Sequence, residues 1–159
     1  MTAIDSDVTF KSALEGLDAA SQRQLAVRFV QHVLPLCQDA RVARAVAAGG
    51  RLSASSGELE NALKSVRAAS VELHTRCGSD GDWAEQAGYF VARAAAAALS
   101  PAEQATVRNP AWQAALSSRM ARTCATIAEQ ETGETSAHGE SEWQYRALGD
   151  YLNSNRNPS

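Results

Sequence analysis

Three features of this sequence predict an all-α fold, a compact bundle of six or seven helices in a single domain. Alanine supplies 32 of the 159 residues, and it is the strongest helix former with the smallest helical side chain. Apolar residues recur three and four positions apart along most of the chain, the spacing of a helix face. Helix start signals separate these stripes, and no run rich in β-branched or aromatic residues alternates with period two. Aromatic residues make up only 6%, so the core needs helices that pack closely, as small side chains permit. The length suits one domain with a real core. That domain is expected over residues 1–152, with the polar stretch 153–159 as a disordered tail.

The first ten residues are polar and expected to fray. A short helix over 8–17 would place Phe10, Leu14 and Leu17 on one side. In the next segment Leu25, Phe29, Val33 and Leu36 form a core stripe flanked by Ala26, Val30 and Cys37. Pro35 lacks an N–H and should kink or end that helix. Asp39 then caps a second short helix with Val42, Ala45 and Val46 inward, and Gly49-Gly50 stop it. Ser55 with Glu58 reads as a capping box. It opens a helix whose stripe is Leu59, Leu63, Val66, Ala69, Ser70 and Leu73, closed by Gly78.

Asp82 with Glu85 starts another helix, with Trp83, Ala87, Phe90, Val91, Ala94, Ala98 and Leu99 inward. Ser100-Pro101 opens a short helix ending near Asn109, with proline at its first position. Asn109-Pro110 opens the next, with Trp112, Leu116, Met120, Thr123 and Ile127 as its stripe. A loop over 131–141 leads to a last helix from Glu142 carrying Trp143, Ala147, Leu148 and Tyr151. Phe29, Leu63, Phe90 and Leu116, each central to its stripe, are expected to be buried.

The formal net charge is −3, with thirteen Arg and two Lys against 18 acids. No Lys/Arg cluster is present to neutralise phosphates, which argues against a nucleic-acid partner. No apolar run is long enough for a membrane span, and the N-terminus has neither the basic nor the apolar region of a secretory signal. Cys37, Cys77 and Cys124 are odd in number and widely spaced, as expected of reduced thiols in a cytoplasmic protein.

Nothing in the sequence reads as a catalytic, metal or cofactor site. His32, His74 and His138 fall in no HxxxH or ExxH pairing. His32 reads as a partly buried structural histidine. His74 and Cys77 are three apart and could touch, a spacing that chance also produces. Neither GxSxG, GxGxxG nor GxxxxGK[ST] occurs. The run 92–99, ARAAAAAL, reads as a core helix, with a homodimer seam as its competing use. The expectation is therefore a protein that is not an enzyme and needs no cofactor.

One charge feature is local. Glu129, Glu131, Glu134, Glu140 and Glu142 follow one another with no Lys or Arg between them, and outside this stretch the chain carries thirteen acids and fifteen Lys or Arg. Either a solvated loop or a face that steers a basic partner accounts for it. Trp143 and Tyr145, read as exposed aromatics beside these acids, complete a candidate partner-binding set.

The segment LAVRFVQHVLPLCQDARVARAVAAGG, residues 25–50, resembles the Ala-rich helical immunity proteins of bacterial toxin systems, the immunity-protein-5-like group. Val33-Leu34-Pro35-Leu36-Cys37 matches that group's VLPLF-type stretch, and Asp39, Arg41, Arg44, Ala45 and Val46 follow the start of its second helix. The closing run from Glu142 to Leu152 is similar too. The chain departs from the group in lacking the acidic-Pro spacer and the Pro after the first Arg. The resemblance implies a protein that binds and neutralises a cognate protein toxin by blocking it, and it brings no defined functional residues with it. Two other classes remain open: a homo-oligomeric regulatory or structural protein, and a small ligand-binding protein with a pocket in its core.

Overall fold

A computed structural model describes residues 3–77, 82–101, 109–129 and 137–156. Of these, 85% are helical, and no strand occurs among them. Seven α-helices follow one another: α1 (Asp7–Glu15), α2 (Ala19–Val33), α3 (Ala40–Gly50), α4 (Ser56–Cys77), α5 (Trp83–Leu99), α6 (Pro110–Ala128) and α7 (Ala137–Arg156). They pack into a single helical bundle, as the stripes and start signals predict.

Most boundaries have a local cause. Ser6 accepts the Thr9 N–H, and the Thr9 hydroxyl accepts the Ser6 N–H in return, so α1 opens on a reciprocal cap. Asp18 caps α2 by accepting from the Ser21 N–H at 2.7 Å. Pro35 ends α2 at Val33, and a single 3₁₀ turn over Leu34–Leu36 carries the chain to Asp39, the cap of α3. Ser55 accepts from the Glu58 N–H at 3.1 Å, but the Glu58 carboxylate turns to Arg51 at 3.0 Å, so only half of the expected box forms. Asn109 stands in the left-handed region at φ 59° and accepts the Trp112 N–H, with Pro110 at the first helical position. The expected short helix after Pro101 and the stop at Gly78 lie outside the described residues.

α5 is the central element. It packs on α6 above all, and also on α4, α2 and α3. The α5–α6 seam is built from alanine: Ala87, Ala94, Ala95 and Ala98 on one side and Ala111, Ala114, Ala115, Ala121 and Ala125 on the other are all buried. Side chains this short let two helix axes come close. The run 92–99 is thus largely enclosed within the bundle. Larger side chains fill the space around the seam: Phe10 and Leu14 from α1, Leu25, Phe29, Val30 and Val33 from α2, Val42 from α3, Val66 from α4, Leu148 from α7.

The structure corrects several expectations. Phe29 and Leu63 are buried, but Phe90 and Leu116 are only half-buried. Trp83, Met120 and Ile127 are exposed at 44%, 46% and 43% rather than inward. On α6 the cause is that the alanine face takes the core position, which rotates the larger apolar residues outward. α7 begins at Ala137 rather than Glu142, and it runs to Arg156, through much of the stretch expected to be a disordered tail. α1 begins at Asp7, within residues expected to fray.

Gly49 and Gly50 end α3 as expected, but Gly49 has a second role. A Cβ at Gly49 would lie 2.6 Å from Leu99 Cδ2 and 3.2 Å from Val27 Cγ2, whereas at Gly149 in α7 it would meet nothing within 4 Å. Gly49→Val is expected to destabilise the fold by about 1–3 kcal/mol through overpacking. Gly149→Ala is expected to stabilise it by up to about 1 kcal/mol from helix propensity alone. Urea denaturation of the two variants checks both signs.

Candidate functional site

The expected partner-binding residues fall mostly on α7, and the structure divides them. Glu129 ends α6 and is exposed. Glu142 is exposed on α7 with His138 3.3 Å away, one turn earlier. Glu131 and Glu134 lie outside the described residues. Glu140 is no surface acid: it is 3% exposed. Trp143 and Tyr145, expected to be exposed, are half-buried against neighbouring helices.

Glu140 is buried because α7 turns it inward onto His32 and Arg122. Its carboxylate oxygens lie 2.7 and 3.0 Å from His32 Nδ1, and Arg122 Nε lies 3.6 Å from Oε2. Arg122 also donates from Nη2 to the His32 carbonyl oxygen at 3.3 Å. The Trp143 indole stacks on the His32 imidazole, ring centroids 3.7 Å apart and planes within 3°. His32 lies in the last turn of α2. This cluster joins α2, α6 and α7. A carboxylate holding an imidazole is the orienting half of an acid–base pair. Through this contact Glu140 ties α7 to the end of α2. His32 is partly buried, as expected. Neutralising Glu140 therefore perturbs the packing of α7 and cannot report on surface charge alone.

One turn further along α7 a second cluster centres on Arg119, which is 8% exposed. Its Nε donates to Gln144 Oε1 at 2.8 Å, and the Gln144 amide donates on to the Ala115 carbonyl at 3.1 Å. Its Nη1 donates to Asp7 Oδ2 at 3.1 Å, and Nη2 lies 2.9 Å from Asp7 Oδ1, close enough for an ion pair but misaligned for a hydrogen bond. The Tyr145 hydroxyl donates to Asp7 Oδ1 at 2.7 Å. The guanidinium lies 5.4 Å from the Trp112 ring centre, 5.7 Å from Phe10 and 5.8 Å from Tyr145. Such rings favour a cation over their faces. The sequence reading did not single out Arg119, Gln144, Asp7 or Arg122. A signal was present: Arg119 lies one turn beyond Ala115 and beside Ser118, on the small-residue face of α6.

Burial opposes ionisation of Asp7, but hydrogen bonds from Arg119 and Tyr145 and the Arg119 charge outweigh it and hold the carboxyl below its usual range. A depressed folded pKa contributes stability above the unfolded value of about 3.9 that is lost as pH falls through the folded value. The melting temperatures of wild type and Asp7→Asn should therefore differ most near neutral pH and converge toward about pH 2. A difference unchanged across that range would show that the Asp7 charge contributes nothing. Solvent screening keeps the effect modest, because the Asp7 side chain is about half exposed.

Elsewhere, Arg41 bridges Asp39 at 2.8 Å and Glu72, tying the start of α3 to α4. Cys124 is buried and Cys37 half-buried, and burial raises the Cys37 thiol, which disfavours the nucleophilic thiolate. His74 packs on Tyr89 at 5.0 Å; the Cys77 side chain lies outside the described residues. Among the described residues no group of three or more His, Cys, Asp or Glu is placed to hold a metal ion, and no helix is long and apolar enough to cross a membrane.

The surface of α6 carries the feature with the clearest binding character. Leu116, Met120, Thr123 and Ile127 repeat at helical spacing on one face; Leu116 and Thr123 are half-buried, and Met120 and Ile127 are exposed. The stripe runs toward Glu129. No family model, curated protein or solved structure matches the chain.

Proposed function

We propose that this protein is an immunity protein that neutralises a cognate protein toxin by occupying it, with no chemistry of its own. The observation that carries this reading is the outward apolar stripe of α6. A face patterned like a core helix, with Met120 and Ile127 open to solvent, offers desolvable anchors of the kind interfaces concentrate. The exposed acids Glu129 and Glu142 would steer a basic partner toward it. The resemblance of residues 25–50 to immunity proteins supports the same reading, since those residues form α2, its proline-made turn and α3.

The test is co-purification with the product of the neighbouring reading frame, expected to be toxic when expressed alone and harmless in a complex with this protein. Met120→Asp and Ile127→Asp should each weaken that complex by about 2 kcal/mol or more, roughly 30-fold, with the melting temperature preserved. Glu129→Gln with Glu142→Gln should slow association and flatten its salt dependence. A complex that keeps its affinity in the Asp variants would remove α6 from the interface. A neighbouring product that is not toxic, or that does not bind, would end the immunity reading.

A further inference from the structure

A groove of about 660 Å³ opens between the first turns of α2 and α4 and the C-terminal end of α5, with Pro110 at its edge. Its size falls within the range of roughly 300–1,000 Å³ typical of small-molecule sites. Leu59, Leu63, Ala98 and Leu99 give it an apolar wall. Among the described residues three cations, Arg23, Lys64 and Arg67, line it against a single acid, Glu60. Arg41, Arg51, Arg119 and Arg122 each lie against a carboxylate. Arg23, Lys64 and Arg67 make no ion pair or side-chain hydrogen bond among the described residues.

Arg23 adds a sharper observation. Its Nε is buried and has no hydrogen-bond partner. A buried donor left unpaired is unfavourable, and an incoming acceptor removes the penalty. Three helices, α2, α4 and α6, begin at this groove and bring the partial positive charge of their N-termini, against the single C-terminal end of α5. Asp18, Ser55 and Asn109 already cap those helices, so they contribute field rather than free donors.

The geometry points to a binding site for a small amphipathic anion, an oxyanion head on an aliphatic body. The body lies along Leu59, Leu63 and Leu99. The head meets Arg23, Lys64 and Arg67, where arginine supplies paired N–H donors that match an oxyanion. The site is independent of the toxin-binding reading, since it uses α2, α4 and α5 and none of the outward stripe of α6.

The full-length chain, isotope-labelled, would be titrated with decanoate, decyl phosphate, 1-decanol and decylammonium below their micelle concentrations and followed by amide NMR shifts. Decanoate or decyl phosphate should bind saturably, with shifts centred on residues 19–23, 56–67 and 98–101, and comparison of the two identifies the preferred head. The neutral alcohol should bind at least tenfold more weakly, and the cation should not bind there. Lys64 and Arg67 are exposed, so Lys64→Gln with Arg67→Gln leaves the fold intact; this variant should weaken the anions at least tenfold and leave the alcohol unchanged. Arg23→Met should weaken the anions as well without lowering the melting temperature. Absence of saturable anion binding, shifts centred elsewhere, or equal affinity in the Lys64/Arg67 variant would each overturn the assignment.

Discussion

Phe29→Ala is expected to cost about 3–5 kcal/mol, the upper range for removing a buried aromatic ring. Phe29 is fully buried, with the Phe10 ring centre 5.7 Å away. α2, which carries it, packs on α6, α5, α3 and α7, so the ring stands where several helices converge. The size of the cost depends on whether neighbours can collapse into the space. The helices on which α2 packs most, α6 and α5, bury mainly alanine, which has no rotamer to swing inward, so little can refill the space. For a chain of this size such a loss lowers the melting temperature by roughly 10 °C. Urea denaturation with an unchanged slope would measure it. A loss below about 1 kcal/mol would show that the bundle closes over the gap.

Arg119→Met is the second large effect, about 2–3 kcal/mol, the upper range for leaving a buried polar group without its charged hydrogen-bond partner. The methionine keeps much of the stem and removes the charge. Gln144, fully buried, then loses the donor to its Oε1, and Asp7 and the three rings lose their cation. Because the penalty comes from stranded polar atoms, removing them should restore stability. Arg119→Met with Gln144→Leu is expected to recover a large part of the loss, since replacing both partners by apolar groups approaches neutrality. Asp7→Asn should cost much less than Arg119→Met, because water reaches Asp7. Equilibrium unfolding of the single and double variants forms a cycle that measures the coupling. Additive losses would mean that the two side chains do not act together.

The helical class, the break at Pro35 and the caps at Asp39, Asp82 and Asn109 were legible because each has a local cause, a donor or acceptor that must be satisfied within a few residues; the Asp18 cap of α2 was overlooked. The phase of α6 was not. Trp112, Leu116, Met120 and Ile127 form the more hydrophobic stripe, yet Ala111, Ala114, Ser118, Ala121 and Ala125 face the core. Hydrophobicity ranks the first set higher. Close approach to α5 selects the second, and that approach depends on a partner helix the local pattern cannot reveal. The acidic stretch misled for a similar reason. Glu140 reads like its neighbours along the chain, but its partners His32 and Arg122 come from α2 and α6, one of them 108 positions away. Trp143 and Tyr145 were read as exposed contact residues, but they are half-buried; their surroundings, a stacked imidazole and the Asp7–Arg119 pair, are products of the tertiary fold.

The clasp between Asp7 and Tyr145 spans 138 positions, and Phe10 touches the same tyrosine ring at 5.3 Å. This gives assembly a fixed order during synthesis. α1 emerges from the ribosome well before α7, yet part of its seat is formed by α7. Until then Arg119 lacks Gln144, and His32 lacks both its carboxylate and its stacked indole. The nascent chain can join α2 to α6 through short and intermediate links, whereas fastening α1 and α7 requires closing the longest loops in the molecule, the slowest kind of contact to make. The polar clusters thus stay incomplete until α7 arrives, because Glu140, Gln144 and Tyr145 all stand on it.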